Sequence, residues 1–183
     1  MTQTRGLRLV ATCYRAHDPR WSFLPLSGEG AAIRGARFNP KRVPALYLAL
    51  SVMGAIREAT QGLARRLDPL LLCAYRVDCT DLADLASPEG LRSLAEAGLA
   101  IDAAMLGAPW ALDLSEGRRP ASWTVHDRLT AAGYAGALVP SFAPGASAAD
   151  RNLVLWHWGE DMPHSVRVID PDQRLPKNAQ SWA

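Results

Sequence analysis

The sequence predicts a mixed α+β fold in one domain. The chain has 183 residues, enough for one substantial hydrophobic core and rather few for two. Its hydrophobic fraction of 49% and charged fraction of 21% are those of a globular protein rather than a disordered chain. The predicted elements run strand, loop, strand, helix, strand, a helix-rich region and three more strands. Because strands and helices do not alternate regularly, this order favours an α+β (mixed α/β) fold over βαβ winding.

The first half of the chain predicts three strands and one helix. Residues 8–16 combine β-branched and aromatic side chains with a rough alternation of polarity, which predicts a first strand. Residues 27–42 contain three glycines and an Asn-Pro pair, so they predict a loop. A short apolar strand is expected at 44–50. It is followed by a serine-capped helix with one apolar face at 51–63, and then by a buried strand at 70–77.

The second half predicts several helices and then the last strands. Helices are expected from residue 88, at 100–106 and at 120–132. Strands are expected at 135–139, 152–158 and 165–169, with a loop over 140–151. For the helix before the first of these strands, Ser122 is the expected N-cap and Gly133 the expected terminator. We expect one domain over residues 8–170 and a loosely held polar tail over 171–183.

The charge and the apolar runs exclude several classes of protein. The net charge of +2 is too small to favour direct binding of nucleic acid or of an anionic membrane. The longest apolar runs, such as residues 69–75, fall far short of the roughly 20 residues that a membrane-spanning helix needs. The N-terminus lacks the apolar core of a signal peptide. We therefore expect a cytoplasmic protein with no membrane partner.

The cysteines and histidines give no evidence for a metal centre. Cys13, Cys73 and Cys79 lie in or beside apolar runs, and no CxxC pattern is present. We interpret them as buried thiols in a reducing compartment. The four histidines are scattered along the sequence rather than clustered as metal ligands would be. No metal and no bound cofactor are expected.

Cations, an aromatic ring and a carboxylate are concentrated between residues 26 and 58. Arg34 and Arg37 bracket a glycine, and Tyr47 and Glu58 follow within the next strand and helix. Backbone amides beside glycines and guanidinium groups bind phosphates, and an aromatic ring stacks on a heterocycle. The segment therefore suits a ring-bearing polyanion such as a nucleotide. It is neither a P-loop nor a dinucleotide-binding GxGxxG fingerprint.

Each candidate side chain also has a purely structural interpretation. Arg15, late in an apolar strand, either points to solvent or a structural carboxylate, or holds a phosphate or carbonyl. Tyr47 suits the core as well as a stacking site, and Glu58 suits an exposed helix as well as a cleft. Ser141 is either a turn serine or a ligand contact, since no GxSxG elbow marks it as a nucleophile. The residues alone leave these alternatives open.

Taken in order, these residues resemble the RES-domain family, which is named for an arginine, a glutamate and a serine. The resemblance covers residues 15–158, and Phe38 stands where the family pattern often has tryptophan. The matching pieces are Tyr14-Arg15, SGEGA from Ser27, RGARFNP from Arg34, Leu46-Tyr47, AIRE ending at Glu58, Gly133-Tyr134, VPS ending at Ser141, and NLVL from Asn152.

The resemblance implies a fold similar to that of ADP-ribosyltransferases, with central mixed sheets flanked by helices. It implies a bacterial toxin of a RES–Xre toxin–antitoxin pair that acts on NAD⁺ as its substrate. Such toxins degrade NAD⁺ by hydrolysis or phosphorolysis, or transfer ADP-ribose to a protein. The expected partners are therefore NAD⁺, an Xre-type helix-turn-helix antitoxin that tends to block the active site, and inorganic phosphate or a protein acceptor.

The resemblance assigns the family arginine to Arg15, the glutamate to Glu58 and the serine to Ser141, with Ser147 in the same loop as an alternative. Cleavage of the nicotinamide–ribose bond develops oxocarbenium character, which Glu58 can stabilise. Tyr47 can stack on the nicotinamide ring.

The expected substrate-binding residues are Arg34, Arg37, Asn39 and Ser141. Arg15 and Arg37 are expected to bind the pyrophosphate or, in phosphorolysis, the incoming phosphate. Three functions remain open on the sequence. They are an NAD⁺-consuming toxin, a protein mono-ADP-ribosyltransferase with the same site, and a non-catalytic nucleotide-binding module.

Overall fold

The computed structural model of the protein describes residues 6–61 and 68–182. Its strands are β1 Leu7–His17, β2 Leu46–Ala49, β3 Leu71–Asp84, β4 Gly136–Pro140, β5 Arg151–Leu155 and β6 His164–Val168. Its helices are α1 Glu29–Arg34, α2 Val52–Thr60, α3 Pro88–Glu96, α4 Ala103–Gly107, α5 Trp110–Ser115 and α6 Ala121–Ala131. Short 3₁₀ turns lie at Pro19–Trp21 and Ala179–Trp182.

The strands form one mixed sheet in the order β1-β2-β5-β4-β3-β6, and β1 also pairs with β3. Strands β1, β2, β5, β4 and β3 therefore close into a ring, and β6 is added to β3. The β3–β4 pair is parallel and the other pairs are antiparallel. The predicted α+β class is confirmed.

Two clusters of buried side chains lie on the two faces of the sheet. One contains Leu46 and Leu48 of β2 together with residues of β1, β3 and β5. The other joins β4 to helices α3, α4 and α6, and Tyr47 packs against it. Successive strand residues point to opposite faces, so β2 buries its leucines in the first cluster and turns Tyr47 towards the helices. This alternation sets the direction in which the Tyr47 ring points.

The predicted strands are present in the predicted order, but β3 is longer than expected. It continues past residue 77 to Asp84 even though the added residues include Asp78, Thr80 and Asp81. Asp78 lies between Val10 of β1 and Ser165 of β6, and Arg8 of β1 forms an ion pair with its half-buried side chain at 2.7 Å. A neighbouring strand thus accommodates polar residues that looked like a break in the sequence pattern.

The prediction of a loop over residues 27–42 is wrong in part, because α1 occupies Glu29–Arg34. The Ser27 hydroxyl accepts a hydrogen bond from the Glu29 backbone N–H, which supports the start of the helix. Gly35 ends it at a φ of 73°, a left-handed conformation that favours glycine. A six-residue helix between glycines is too short for an apolar periodicity to reveal it.

The caps of two other helices show where local pattern succeeds and where it fails. Ser51 caps α2 as predicted, accepting a hydrogen bond from the Gly54 N–H at 3.0 Å. Ser122 does not cap α6, because the helix already begins at Ala121 and Pro120 occupies the N-cap position. The Ser122 side chain is buried inside the first turn instead. Gly133 follows the helix at a φ of 86°, as expected of a terminator.

Several other features bear on the predictions. The helix predicted over residues 51–63 corresponds to α2, and its predicted end at Leu63 lies outside the described residues. Helix α5 was not predicted. Cys13, Cys73 and Cys79 are free and buried. Within residues 6–61 and 68–182 no helix is long and apolar enough to cross a membrane.

Candidate active site

A cleft of about 310 Å³ opens between β1, β2 and helix α2. Four of the predicted residues line it together: Arg15, Arg37, Tyr47 and Glu58. The remaining lining residues are Tyr14, Ala16, Ala36, Leu48, Ala49, Ala55, Ala59, Gln61, Trp110, Phe142 and Asn152. The fold therefore brings cations, a phenol ring and a carboxylate into one concave site, the arrangement expected of a binding site for a small ligand.

Glu58 is held in this cleft by two hydrogen bonds to one of its oxygens. Ser141 Oγ donates to Glu58 Oε1 at 2.7 Å, and Asn152 Nδ2 donates to the same oxygen at 2.6 Å. The donors come from the end of β4 and from β5, so the carboxylate of α2 is tied to the sheet. Within the described residues, Glu58 Oε2 has no hydrogen-bond partner. One oxygen is therefore fixed while the other remains available to a ligand.

Asn152 is a site residue whose role could not be inferred from the sequence. It lies opposite Ala49 of β2 and Val139 of β4, in the middle of the sheet. Asn152 lines the cleft, and its Oδ1 is buried with no hydrogen-bond partner among residues 6–61 and 68–182. The NLVL run belongs to the resemblance, but only the fold shows that its first residue contacts the carboxylate.

Ser141 and Ser147, the two candidates for the family serine, have different surroundings. Ser141 contacts Glu58, whereas Ser147 Oγ donates to Asp150 Oδ2 at 2.9 Å. Asp150 also forms an ion pair with Arg57 at 3.0 Å. Ser147 thus stabilises the loop between β4 and β5, and the geometry favours Ser141 as the serine of the site.

Tyr47 is fixed through its hydroxyl rather than through its ring. The hydroxyl donates to Asn39 Oδ1 at 2.7 Å and accepts from the Phe38 backbone N–H at 3.1 Å. Burial raises the pKa of the Tyr47 phenol above its ordinary value, so the hydroxyl stays neutral. Because the hydroxyl is already hydrogen-bonded on the side of Asn39 and Phe38, a ligand in the cleft would contact the ring of Tyr47.

Asn39 lies behind Tyr47 and is not among the residues that line the cleft. It is completely buried, and its Nδ2 lies within hydrogen-bond distance of the carbonyl oxygens of Ala31, Pro40 and Val43. Asn39 therefore joins helix α1 to the following loop and orients the tyrosine from behind.

Arg37 is positioned by the loop that carries it. The indole N–H groups of Trp123 and Trp156 donate to the carbonyls of Ala36 and Phe38, at 2.8 Å and 2.9 Å. A Cβ at Gly35 would lie 2.8 Å from the Trp123 ring, so only glycine allows this close approach. The residues on both sides of Arg37 are thus held by the hydrophobic core.

The guanidinium of Arg37 stacks on an aromatic ring and contacts neutral acceptors. Its Nη1 donates to the Leu106 and Ala108 carbonyls at 3.1 Å and 2.9 Å, and its Cζ lies 4.2 Å from the centroid of Phe142. Burial lowers its pKa, and the nearby charge of Glu58 opposes this effect.

Arg15 likewise contacts carbonyl groups rather than a carboxylate. Its Nη1 donates to Ser27 O at 3.0 Å and approaches Pro25 O at 3.5 Å. Burial lowers its pKa, but an arginine side chain remains protonated at neutral pH. Among the described residues, then, the hydrogen-bond partners of both arginines are neutral, which leaves their charge for an anionic ligand.

Arg34 is separated from this group. It is exposed at the end of α1 and lines a neighbouring pocket, which it shares with Arg15. Within the described residues, no group of three or more His, Cys, Asp or Glu side chains is arranged to hold a metal ion.

The sequence and the fold are similar to those of known proteins. The family model described as RES domain matches residues 12–178. Proteins named NAD(+) phosphorylase MbcT, from Mycobacterium bovis and Mycobacterium tuberculosis, are 35% identical in a 146-residue alignment that covers 72% of this chain and 73% of theirs. A chain in the crystal structure of the M. tuberculosis MbcT-MbcA toxin-antitoxin complex shares the fold, with a TM-score of 0.55 and 23% identity over 90% of this chain and 84% of that one. The chain belongs to the RES-domain family.

Proposed function

We propose that this protein is an NAD⁺-consuming toxin that cleaves the nicotinamide–ribose bond and transfers the ADP-ribosyl group to inorganic phosphate. The observation that carries the proposal is the carboxylate of Glu58, held by Ser141 and Asn152 in a cleft with Arg15 and Arg37. The 35% identical relatives are named NAD(+) phosphorylases, which makes phosphate the favoured acceptor.

The proposed reaction needs a carboxylate and no acid for the leaving group. The electron pair of the C1–N bond moves onto the nicotinamide ring, which leaves as a neutral molecule. Positive charge develops on the ribose, and Glu58 stabilises it electrostatically. A phosphate oxygen then forms the new bond to C1 and gives ADP-ribose 1″-phosphate. Hydrolysis or transfer to a protein differs only in the acceptor.

The cleft offers a role for each of the other residues. Arg15 and Arg37 bind the pyrophosphate or the incoming phosphate, since guanidinium groups form paired hydrogen bonds with phosphate oxygens. The Tyr47 ring stacks on nicotinamide, and Asn39 holds it there from behind. Ser141 and Asn152 fix the orientation of the Glu58 carboxylate.

The proposed macromolecular partner is an antitoxin. The structural neighbour is one component of a toxin-antitoxin complex. We propose a cognate antitoxin with an Xre-type helix-turn-helix region that covers the cleft. The toxin itself then needs no direct contact with nucleic acid or membrane to act in the cytoplasm.

The test is product analysis with purified protein. NAD⁺ is incubated with the wild type in phosphate and in phosphate-free buffer, and the products are identified by mass spectrometry. Nicotinamide and ADP-ribose 1″-phosphate are expected, and only with phosphate present. ADP-ribose in both buffers indicates hydrolysis, and a modified protein in an added lysate indicates mono-ADP-ribosyl transfer.

The matched variants are Glu58→Gln and Glu96→Gln. Both replace a helical glutamate by its neutral isostere, but Glu96 is an exposed residue of α3 outside the cleft. Glu58→Gln should abolish NAD⁺ loss, and Glu96→Gln should leave it unchanged. Intact NAD⁺ with the wild-type protein under all these conditions would refute the proposed function.

A further inference from the structure

A second pocket, of about 550 Å³, lies on the other side of Arg15 from the cleft. It is bounded by the segment after β1 and by helix α1. Arg15 and Ala16 line both the cleft and this pocket. The two cavities are therefore neighbours, with a cation at their common border.

The walls of the second pocket expose large apolar side chains. Trp21 is 62% exposed, Leu24 51% and Ile33 74%. A cluster of this kind beside a polar site indicates a surface that binds a partner or a ligand. The indole of Trp21 offers a flat face on which a heterocyclic base can stack.

The segment that presents Trp21 is ordered by its own hydrogen bonds. The backbone N–H of Trp21 donates to Asp18 O at 3.0 Å, and the backbone N–H of Leu24 donates to Trp21 O at 3.1 Å. The buried Ser22 hydroxyl donates to Pro19 O at 2.6 Å. The exposed indole is thus displayed on a short, preorganised turn.

The charged groups of the second pocket suit a nucleotide. Arg15 and Arg34 supply positive charge, while the Asp18 carboxylate is neutralised by Arg20 at 2.7 Å. Burial and the charge of Arg15 lower the pKa of His17 to about 4, so this side chain is neutral at pH 7. Glu29 remains as a carboxylate that can accept hydrogen bonds from ribose hydroxyls.

We propose that the second pocket binds the adenosine half of NAD⁺, with the adenine ring stacked on Trp21 between Leu24 and Ile33. The pyrophosphate then lies at Arg15, on the border, and the nicotinamide ribose lies in the cleft beside Glu58. Arg34 reaches the phosphate or the ribose from the end of α1. This inference rests on the proposed function for the identity of the dinucleotide.

The first test measures substrate recognition. Trp21→Ala is compared with Val10→Ala, which also truncates an exposed apolar residue of this region of the chain but lies outside both pockets. Removal of a base-stacking ring should raise KM for NAD⁺ by about 5- to 100-fold. Trp21→Phe should restore most of the affinity, and Val10→Ala should leave KM unchanged.

The second test uses AMP, which lacks the nicotinamide half. Calorimetric titration of the wild type should show binding of AMP, and Trp21→Ala should weaken it by a similar factor. Glu58→Gln, which blocks the proposed reaction, should still bind AMP. AMP binding therefore reports on the pocket even if NAD⁺ is not the substrate.

Two results would overturn the assignment while leaving the proposed function intact. One is consumption of NAD⁺ with the same KM by the wild type and Trp21→Ala. The other is no binding of AMP at millimolar concentration, or equal binding by both proteins. In either case the exposed apolar surface serves something other than adenosine, such as an antitoxin.

Discussion

The hydroxyl of Ser141 lies 2.7 Å from Oε1 of Glu58, although 83 positions separate the two residues in the sequence. This contact connects the end of β4 to helix α2. In the proposed reaction this serine orients the carboxylate and does not act as a nucleophile. A hydroxyl that donates to a carboxylate fixes the direction in which the second carboxylate oxygen points.

We expect Ser141→Ala to reduce kcat by about tenfold, because a hydrogen bond to a charged group contributes about 1.5–3 kcal/mol and Asn152 still holds the carboxylate. NAD⁺ turnover under saturating substrate measures this loss. Ser147→Ala is the matched control, and it should retain kcat since Ser147 contacts Asp150 instead. If Ser147→Ala lowered kcat more than Ser141→Ala, the functional serine would be Ser147 and not Ser141.

Catalytic activity should be less sensitive to loss of the Asn152 amide donor than to its replacement by a carboxylate. Asn152→Leu removes one hydrogen bond to Glu58, whereas Asn152→Asp places a second carboxylate within contact of the first. Like charges at this distance repel each other, so NAD⁺ turnover should fall in the order wild type, Leu variant, Asp variant. Thermal unfolding of each variant separates lost activity from lost structure. Equal turnover in the two variants would argue against a direct contact with the reacting carboxylate.

The ring and the hydroxyl of Tyr47 should have separable effects. Tyr47→Phe keeps the ring but leaves Asn39 Oδ1 and the Phe38 N–H without their partner, which should cost about 1–3 kcal/mol of unfolding free energy. Urea denaturation measures this cost. At urea concentrations below the unfolding transition, Tyr47→Phe should still turn over NAD⁺ and Tyr47→Ala should not. If Tyr47→Phe abolishes turnover in fully folded protein, the hydroxyl itself acts on the substrate.

The buried His17 should make the protein less stable in mild acid. Its pKa is lowered from 6.5 to about 4 by burial and by the charge of Arg15, and its ring nitrogen contacts the Tyr75 hydroxyl. Between pH 6.5 and about pH 4, His17 is protonated in the unfolded chain but neutral in the folded protein. The free energy of unfolding therefore falls as the pH decreases through this window.

About 2 kcal/mol of unfolding free energy should be lost between pH 7.5 and pH 5, out of about 3 kcal/mol over the whole window down to pH 4. Urea denaturation at pH 7.5 and pH 5 measures it. The pH dependence of His17→Gln should be weaker than that of the wild type, and the exposed His157→Gln serves as control. Identical pH dependence in the wild type and His17→Gln would show that His17 is not buried in its neutral form.

The sequence was sufficient for features that depend on local chemistry. Ser51 could be recognised as a cap, and Gly133 as a terminator, because each acts within a few residues of itself. The order of strands followed from apolar runs. Arg15, Arg37, Tyr47 and Glu58 were predicted to act together, and the structure places them in one cleft.

Features that depend on distant partners could not be predicted in the same way. Helix α1 has no side-chain cap at its N-cap Gly28, and it depends on contacts such as the hydrogen bond from Asn39 Nδ2 to the Ala31 carbonyl rather than on a periodic pattern. Asn152 looks like an ordinary strand residue until β5 is placed between β2 and β4. The polar amide of Asn39 suggested a ligand contact, but its Nδ2 is within hydrogen-bond distance of three carbonyls and its Oδ1 accepts from the Tyr47 hydroxyl.

The position of β5 in the sheet also has a consequence for synthesis of the protein on the ribosome. This strand is fifth along the chain but lies third in the sheet, between β2 and β4, and it supplies Asn152 to the cleft. A nascent chain that ends before Arg151 lacks β5 altogether, so it can neither close the ring of strands nor complete the surroundings of Glu58. We expect such fragments to be inactive, so a prematurely terminated translation product would not consume the NAD⁺ of the cell that makes it.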